Sequence, residues 1–294
     1  MPAVAVAPGK TLPPELQQAL LRVAEIRSLP EITTRIVQVV EDPRATAHDM
    51  HDIIRTDPAL AAKILRVVNS AFYGLPSQVA SLERAILLLG LSAVKNIALA
   101  ASLSRLFSAA AVAEQFAARD LWRHCVAVGV CSRLLANAAN GIQADEAFVA
   151  GLVHDMGLIM IQQLFPAKLK MVAAQCHASA QSFCSLEQVV IGADHQAFGA
   201  TLAAKWRFPA GLYHAIAYHH EPLALQPENR KLAAIVYAAD TLCGCERYGF
   251  WLTAQGQELA DAVLQPVAIV PEFLERVAAE LPARVEEAER VFAE

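Results

Sequence analysis

Charge is scarce in this 294-residue chain. Only 18% of its residues are charged, and 24 lysines and arginines face 29 acids, for a formal net charge of -5. That balance supplies no broad cationic surface, which argues against recognition of nucleic acid through its phosphate backbone. Aromatic residues make up 6%, and the 13 glycines and 15 prolines form no low-complexity tract. Strand-like alternation of apolar and polar residues is rare, which weighs against a sheet-based fold. Met1 to Gly9 is short and carries no charged side chain, so no secretory leader is expected there. The most apolar candidate span, Ala85 to Leu103, is interrupted by Lys95 and Asn96 and reads as two packed helices, not a membrane crossing. A cytoplasmic protein without nucleic-acid or membrane partners is the resulting expectation.

Six cysteines are present, but none is spaced as a zinc knuckle or a redox Cys-x-x-Cys pair; Cys243-Gly-Cys245 is the nearest approach. A chain long enough to bury a large core needs no disulfide framework. Reduced thiols serving as small core residues are expected.

What is abundant is Ala, Leu, Val and Ile at helical spacing, within a hydrophobic fraction of 55%. The pattern predicts an all-α fold of two packed helical subdomains. The expected divisions are a flexible tail over 1–12, an N-terminal helical subdomain over 13–110, a second helical subdomain over 111–250 and C-terminal helices over 251–294. Thr46, Asp57, Ser81 and Ser182 are placed to cap helices, and Gly90 to end one. Asp57 to Gly74 reads as one helix, Asp145 to Leu164 as another, and the segment after Gly244 as two or three shorter ones. Residues 108–114 read as a joint.

The stretch 151–161, GLVHDMGLIMI, sets His154 and Asp155 inside an apolar run. Buried polar groups cost free energy unless they are answered by partners or a metal. Asp120 and His124, four apart, share a helical face. His195 starts a helix, His219-His220 ends one, and Asp240 is another lone carboxylate in an apolar run. These five imidazoles and three carboxylates form a mixed nitrogen and oxygen donor set suited to iron, manganese, zinc, cobalt or nickel. His48-Asp49 and His51-Asp52 lie on a helix whose apolar face is Met50, Ile53 and Ile54, so they read as a solvated face.

The order His124, His154-Asp155, Asp240 resembles the HD superfamily of metal-dependent phosphohydrolases. With His195 and His219-His220 added it is similar to the HD-GYP branch, which opens cyclic di-GMP. The segments SLPEI (28–32), DPALAAKILRVVNSAFYG (57–74) and SLERAILLLG (81–90) instead resemble the HDOD, or HD-related output, domain. GLVHDMG (151–157), GADHQAFG (192–199), Trp206, Pro209 and HHEP (219–222) fit the same family, so that the resemblance covers about Leu20 to Cys243. It implies a bacterial signal-transduction domain whose second subdomain is an HD-like helical bundle, meeting signalling proteins in trans as a stand-alone chain, with a nucleotide as a further candidate ligand. One or two divalent metals, Fe, Mn, Zn or Ni, would be held by Asp120, His124, His154, Asp155, His195, His219, His220 and Asp240. Leu158 stands where HD-GYP proteins carry a phosphate-gripping lysine, and no Gly-Tyr-Pro sequence follows Glu221. Two expectations follow: a regulatory binding module, or a metal-dependent phosphohydrolase in which Asp155 bridges two ions and takes part in catalysis. In the second, Arg123, Lys168, Lys205 and Arg207 are the nearest cations in sequence.

Overall fold

A computed structural model describes residues 10–22, 29–108, 118–139 and 141–293. Among the described residues it contains helices and turns and no strand. The N-terminal layer comprises α1 (Pro14–Arg22), α2 (Glu31–Glu41), α3 (Ala47–Ile54), α4 (Pro58–Val68), α5 (Leu82–Leu89) and α6 (Leu91–Ser108). The second layer comprises α7 (Ala118–Ala136), α8 (Ala144–Val153), α9 (Met156–Leu164), α10 (Pro166–Ala178), α11 (Phe183–Val190), α12 (His195–Lys205), α13 (Ala210–Tyr218) and α14 (Arg230–Cys245). After α14 come the short α15 (Asp261–Leu264) and the long α16 (Pro271–Ala293).

The helix starts follow local chemistry. Thr46 closes a reciprocal capping box with Asp49 on α3, and Asp57, Ser81 and Ser182 each accept a backbone N–H from the first turn of the helix they precede. Gly90 ends α5 with φ +88°, a conformation that favours glycine. His48 is largely exposed, and His51 pairs with Glu83 at 3.1 Å, so this helix face is solvated as expected. All six cysteines are free thiols.

Three expected helices come out differently. The helix from Asp57 stops at Val68, because the Asn69 amide is drawn into a loop: its Nδ2 donates to the Val79 carbonyl at 2.8 Å and its Oδ1 accepts the Val79 N–H at 2.7 Å. Residues 70–74 are turns that carry Phe72 and Tyr73 onto the second layer. The helix expected from Asp145 to Leu164 breaks at His154-Asp155. Conversely, α16 runs straight through Pro282. Leu281, Val285, Ala288 and Phe292 bury one continuous stripe, and this packing outweighs the lost backbone hydrogen bond.

The region expected as a joint lies largely in 109–117, outside the described residues, as do 1–9 of the expected tail. Lys10 and Leu12 are buried. The layers are joined by a polar clasp in which the Tyr73 hydroxyl donates to Asp145 at 2.7 Å, while the Arg133 guanidinium pairs with Asp145 at 3.1 Å and lies over both Phe72 and Tyr73. Ala144–Leu164, and not Ala85 to Leu103, is the span long and apolar enough by composition to cross a membrane, but 78% of it is buried inside the fold.

Two close helix approaches set the core of the second layer. A Cβ on Gly151 would stand 2.7 Å from Gly129 Cα, so α7 and α8 meet backbone to backbone. A Cβ on Gly157 would stand 1.9 Å from the His195 carbonyl oxygen. Only glycine lets α9 seat against the first turn of α12, which is where His195 begins.

Candidate metal centre

His154 and Asp155 are neighbours in sequence, and an unbroken helix would point them about 100° apart. The break changes that: His154 keeps helical angles while Asp155 turns to φ -93°, ψ 15°. Both side chains then face one point inside the second layer, and both are fully buried. His124 comes from the first half of α7, His195 from the first turn of α12, His219 and His220 from the end of α13, and Asp240 from the middle of α14.

The distances define a single cluster. Asp155 Oδ2 lies 3.4 Å from His154 Nε2 and 3.8 Å from His124 Nε2. Its other oxygen, Oδ1, lies 3.2 Å from His195 Nε2 and 3.5 Å from His219 Nε2. Asp240 Oδ1 is 3.0 Å from His124 Nε2 and 3.9 Å from His154 Nε2. His195 Nε2 sits 3.2 Å from His219 Nε2 and 3.1 Å from His220 Nε2. Asp155 therefore belongs to two groups able to hold a metal ion, one with His124 and His154 and one with His195, His219 and His220.

Every imidazole is oriented from behind. The Nδ1 of His124 donates to the Tyr248 carbonyl at 3.1 Å, that of His154 to the Gly151 carbonyl at 2.7 Å, and that of His219 to the Ile216 carbonyl at 3.0 Å. His195 Nδ1 meets Glu187 Oε2 at 2.7 Å, and His220 Nδ1 meets Gln257 Oε1 at 2.6 Å. The Gln257 amide is itself fixed, since its Nε2 donates to Thr241 and to the Tyr237 carbonyl. With Nδ1 acting as donor, the neutral ring aims the Nε2 lone pair inward. Yet His124 Nε2, His154 Nε2, Asp155 Oδ1 and both Asp240 oxygens are buried without a hydrogen bond. Buried acceptors crowded together in this way are the donor set that divalent metals take, and the outward anchors are those of metal-bound histidines.

The electrostatics set the rings apart. Burial opposes charge on His195, but Glu187 and Asp155 outweigh it and hold the ring at about 9. Burial likewise opposes charge on His154, and Asp155 again prevails, raising it. At His220, burial and the imidazoles of His219 and His195 push the ring down to about 3. Burial would raise Asp240, but the His124 imidazole 3.0 Å away outweighs it and holds the carboxyl at about 2, and His154 and His195 overcome burial at Asp155 in the same direction.

Asp120 must be removed from the expected ligand set. It sits in the first turn of α7 with an exposed side chain, and it serves the site through its backbone, whose carbonyl accepts the Phe250 N–H at 3.0 Å. A shared helical face did not suffice, because the start of α7 lies at the surface while its next turn is buried. The residues missed in the sequence are the supports. Glu187 is fully buried and accepts both the His195 backbone N–H at 2.9 Å and its Nδ1. Thr253 donates to Asp155 Oδ2 at 3.2 Å, and Gln257 holds His220. Glu187 had a legible signal, as an acid on the apolar helix just before His195; Thr253 and Gln257 had none.

A family model described as HDOD domain matches residues 26–222, about two thirds of the chain. The chain belongs to the HDOD domain family. A solved HDOD domain protein of unknown function from Geobacter sulfurreducens is 23% identical, with a TM-score of 0.75 over 95% of this chain and 96% of that one. A structure described as a candidate metal-dependent phosphohydrolase, from Shewanella amazonensis SB2B, is 21% identical with a TM-score of 0.67, covering 95% of this chain and 96% of its own. At these identities the likeness establishes the shared fold. An uncharacterized protein of Treponema pallidum is 25% identical over 226 residues, and the match spans 75% of this chain but 43% of that relative's length. Asp240, Tyr248, Thr253 and Gln257 all lie beyond the matched HDOD segment, so residues after 222 complete the His/Asp cluster.

Proposed function

We propose that this HDOD protein is a signal-transduction module that acts by protein or ligand binding and carries one or two divalent ions, Fe, Mn, Zn or Ni, in its His/Asp centre. His124, His154, Asp155 and Asp240 would hold one ion, and His195, His219, His220 and the other Asp155 oxygen a second. A bound divalent ion supplies Lewis acidity and lowers the pKa of coordinated water. The observation that carries the metal reading is the convergence of inward Nε2 atoms and carboxylate oxygens, of which His124 Nε2, His154 Nε2, Asp155 Oδ1 and both Asp240 oxygens are buried without a hydrogen bond. Binding rather than turnover is supported by enclosure: six of the seven convergent side chains have no exposure, and His220 has 9%. It is also supported by the missing cations. Arg123, Lys168, Lys205 and Arg207 are all exposed, and Arg123 is engaged with Glu289 at 3.1 Å.

The test is elemental analysis of protein purified without chelator, beside the Asp155→Ala variant. Metal in the first and none in the second is expected; equal metal in both, or none in either, sinks the reading. The second reading, a phosphohydrolase acting on a nucleotide or cyclic nucleotide, draws on the placement of Asp155 between the two groups. It fails if fully metallated protein leaves cyclic dinucleotides, nucleoside phosphates and aryl phosphates intact.

A further inference from the structure

Away from the metal centre, a cleft of about 350 Å³ opens between the two layers, walled by α2 and α6 on one side and by α8 and α13 on the other. Its volume falls in the range of small-molecule sites, roughly 300–1,000 Å³. Val40, Leu91 and Leu212 give it apolar walls. Its polar groups are unevenly matched. Glu41 ends α2, where the helix dipole already concentrates partial negative charge and no basic residue lies in the last turn. Glu146, half-buried in the first turn of α8, brings a second carboxylate, with Oε1 close against the backbone at Gly211. Among the described residues neither acid has an ion pair or a side-chain hydrogen bond. The one lysine in the cleft, Lys95, turns its ammonium to the Asp42 carbonyl at 3.4 Å.

A second and independent feature lies beside these acids. Asn96 lines the cleft with 7% exposure and makes no side-chain hydrogen bond. Its amide opens into the cleft, while Val94, Ile97 and Ala98 beside it in the helix are ordinary core residues. Burial and the charge of Glu41 raise the Glu146 carboxyl above its usual range, as unpaired acids in a common cleft require.

We infer that this cleft binds a small organic cation, an amine or guanidine, whose charge is met by Glu146 and Glu41 and whose remaining polar hydrogens are met by the Asn96 amide. The space is about tenfold the roughly 30 Å³ share of one water, which favours a molecule over a bare ion. Two of the cleft's walls are the outer ends of helices that finish in the metal centre: α8 leads from Glu146 to His154-Asp155, and α13 from Leu212 to His219-His220. The site does not depend on the metal reading, because its groups are separate from the centre.

The test is calorimetric titration of the full chain with methylammonium, putrescine, agmatine and arginine, each to 10 mM, and with Mg²⁺ and Ca²⁺ as comparison ions. At least one of the four organic cations is expected to bind at one per chain with a Kd below about 1 mM. Glu146→Gln and Asn96→Ser should each weaken that binding tenfold or more, while Glu275→Gln on remote α16 leaves it unchanged. If a buried-site variant fails to fold, Glu41→Gln at the exposed rim carries the same expectation. No binding by any of the four, unchanged binding in the folded cleft variants, or binding of Mg²⁺ or Ca²⁺ alone would overturn the inference.

Discussion

Glu187 offers the sharpest test of the metal centre, because it touches a candidate ligand without being one. Its Oε2 accepts two hydrogen bonds from His195, at 2.9 and 2.7 Å, in a fully buried setting. Glu187→Ala removes both and leaves the Nδ1–H of His195 buried without an acceptor, a cost of about 1–3 kcal/mol before any cavity is counted. Its effect on the metal is separable. Loss of a carboxylate behind a metal-bound histidine lowers metal affinity roughly 10–100-fold. With metal at 100 times Kd, binding stabilises the wild-type fold by about 2.7 kcal/mol; a 30-fold weaker Kd leaves about 0.9 kcal/mol. The difference of about 1.8 kcal/mol corresponds to roughly 3 °C of metal-dependent rise in Tm for a chain of this length. The assay is thermal unfolding of wild type, Glu187→Ala and Glu187→Gln, each with and without added Mn²⁺ or Zn²⁺. Glutamine retains an oxygen facing His195 and should recover most of the metal-dependent rise, though not all of it. If Glu187→Ala gains as much from metal as wild type does, His195 is no ligand and the second ion is lost from the account.

Three further outcomes follow. Asp155→Asn keeps the shape but removes the charge common to both groups, so metal content should fall to background, with a residual full complement refuting the shared role. Metal loading of the wild type should release protons, because Asp155 and Glu187 hold His195 at about 9 and Asp155 raises His154; an unbuffered titration showing none at pH 7 would contradict this. Tyr73→Phe should cost about 0.5–1.5 kcal/mol at neutral pH by removing the bond to Asp145. Burial raises the Tyr73 phenol in the folded chain, so the folded state keeps its proton where the unfolded chain loses one near pH 10. Its contribution is therefore complete below that pH and declines above it. Urea titrations from pH 7 to 10.5 should show the gap between wild type and Tyr73→Phe narrowing above about pH 10; a widening gap would show the sign to be wrong.

Much of this was legible before any coordinates. Caps at Thr46, Asp57, Ser81 and Ser182 are local events, decided within four residues, and they were readable for that reason. Seven candidate ligands could be found because a charged or imidazole side chain in an apolar run advertises its cost. Asp120 misled, since a helical face says which residues point together and not how deep that part of the helix lies. The end of α4 at Val68 was hidden because Asn69 is committed to Val79, a contact that no periodicity records. The last helix came out longer than the two or three short ones expected after Gly244, because burial of Leu281 and Val285 carries α16 through Pro282. Thr253 and Gln257 were invisible for a plainer reason: a threonine and a glutamine in a polar connection look the same whether or not they reach a buried carboxylate or imidazole.

The run of α8 bears on how such a protein could report on itself. Asp145, gripped by Tyr73 and Arg133 from the clasp, and His154, inside the centre, lie nine residues apart on nearly continuous helix, about 14 Å of stiff rod. A rod clamped at one end and carrying His154 and Asp155 at the other has little freedom to bend between them. Any tilt of the N-terminal layer is therefore delivered to the His/Asp cluster as displacement, and any tightening of that cluster is felt at Tyr73.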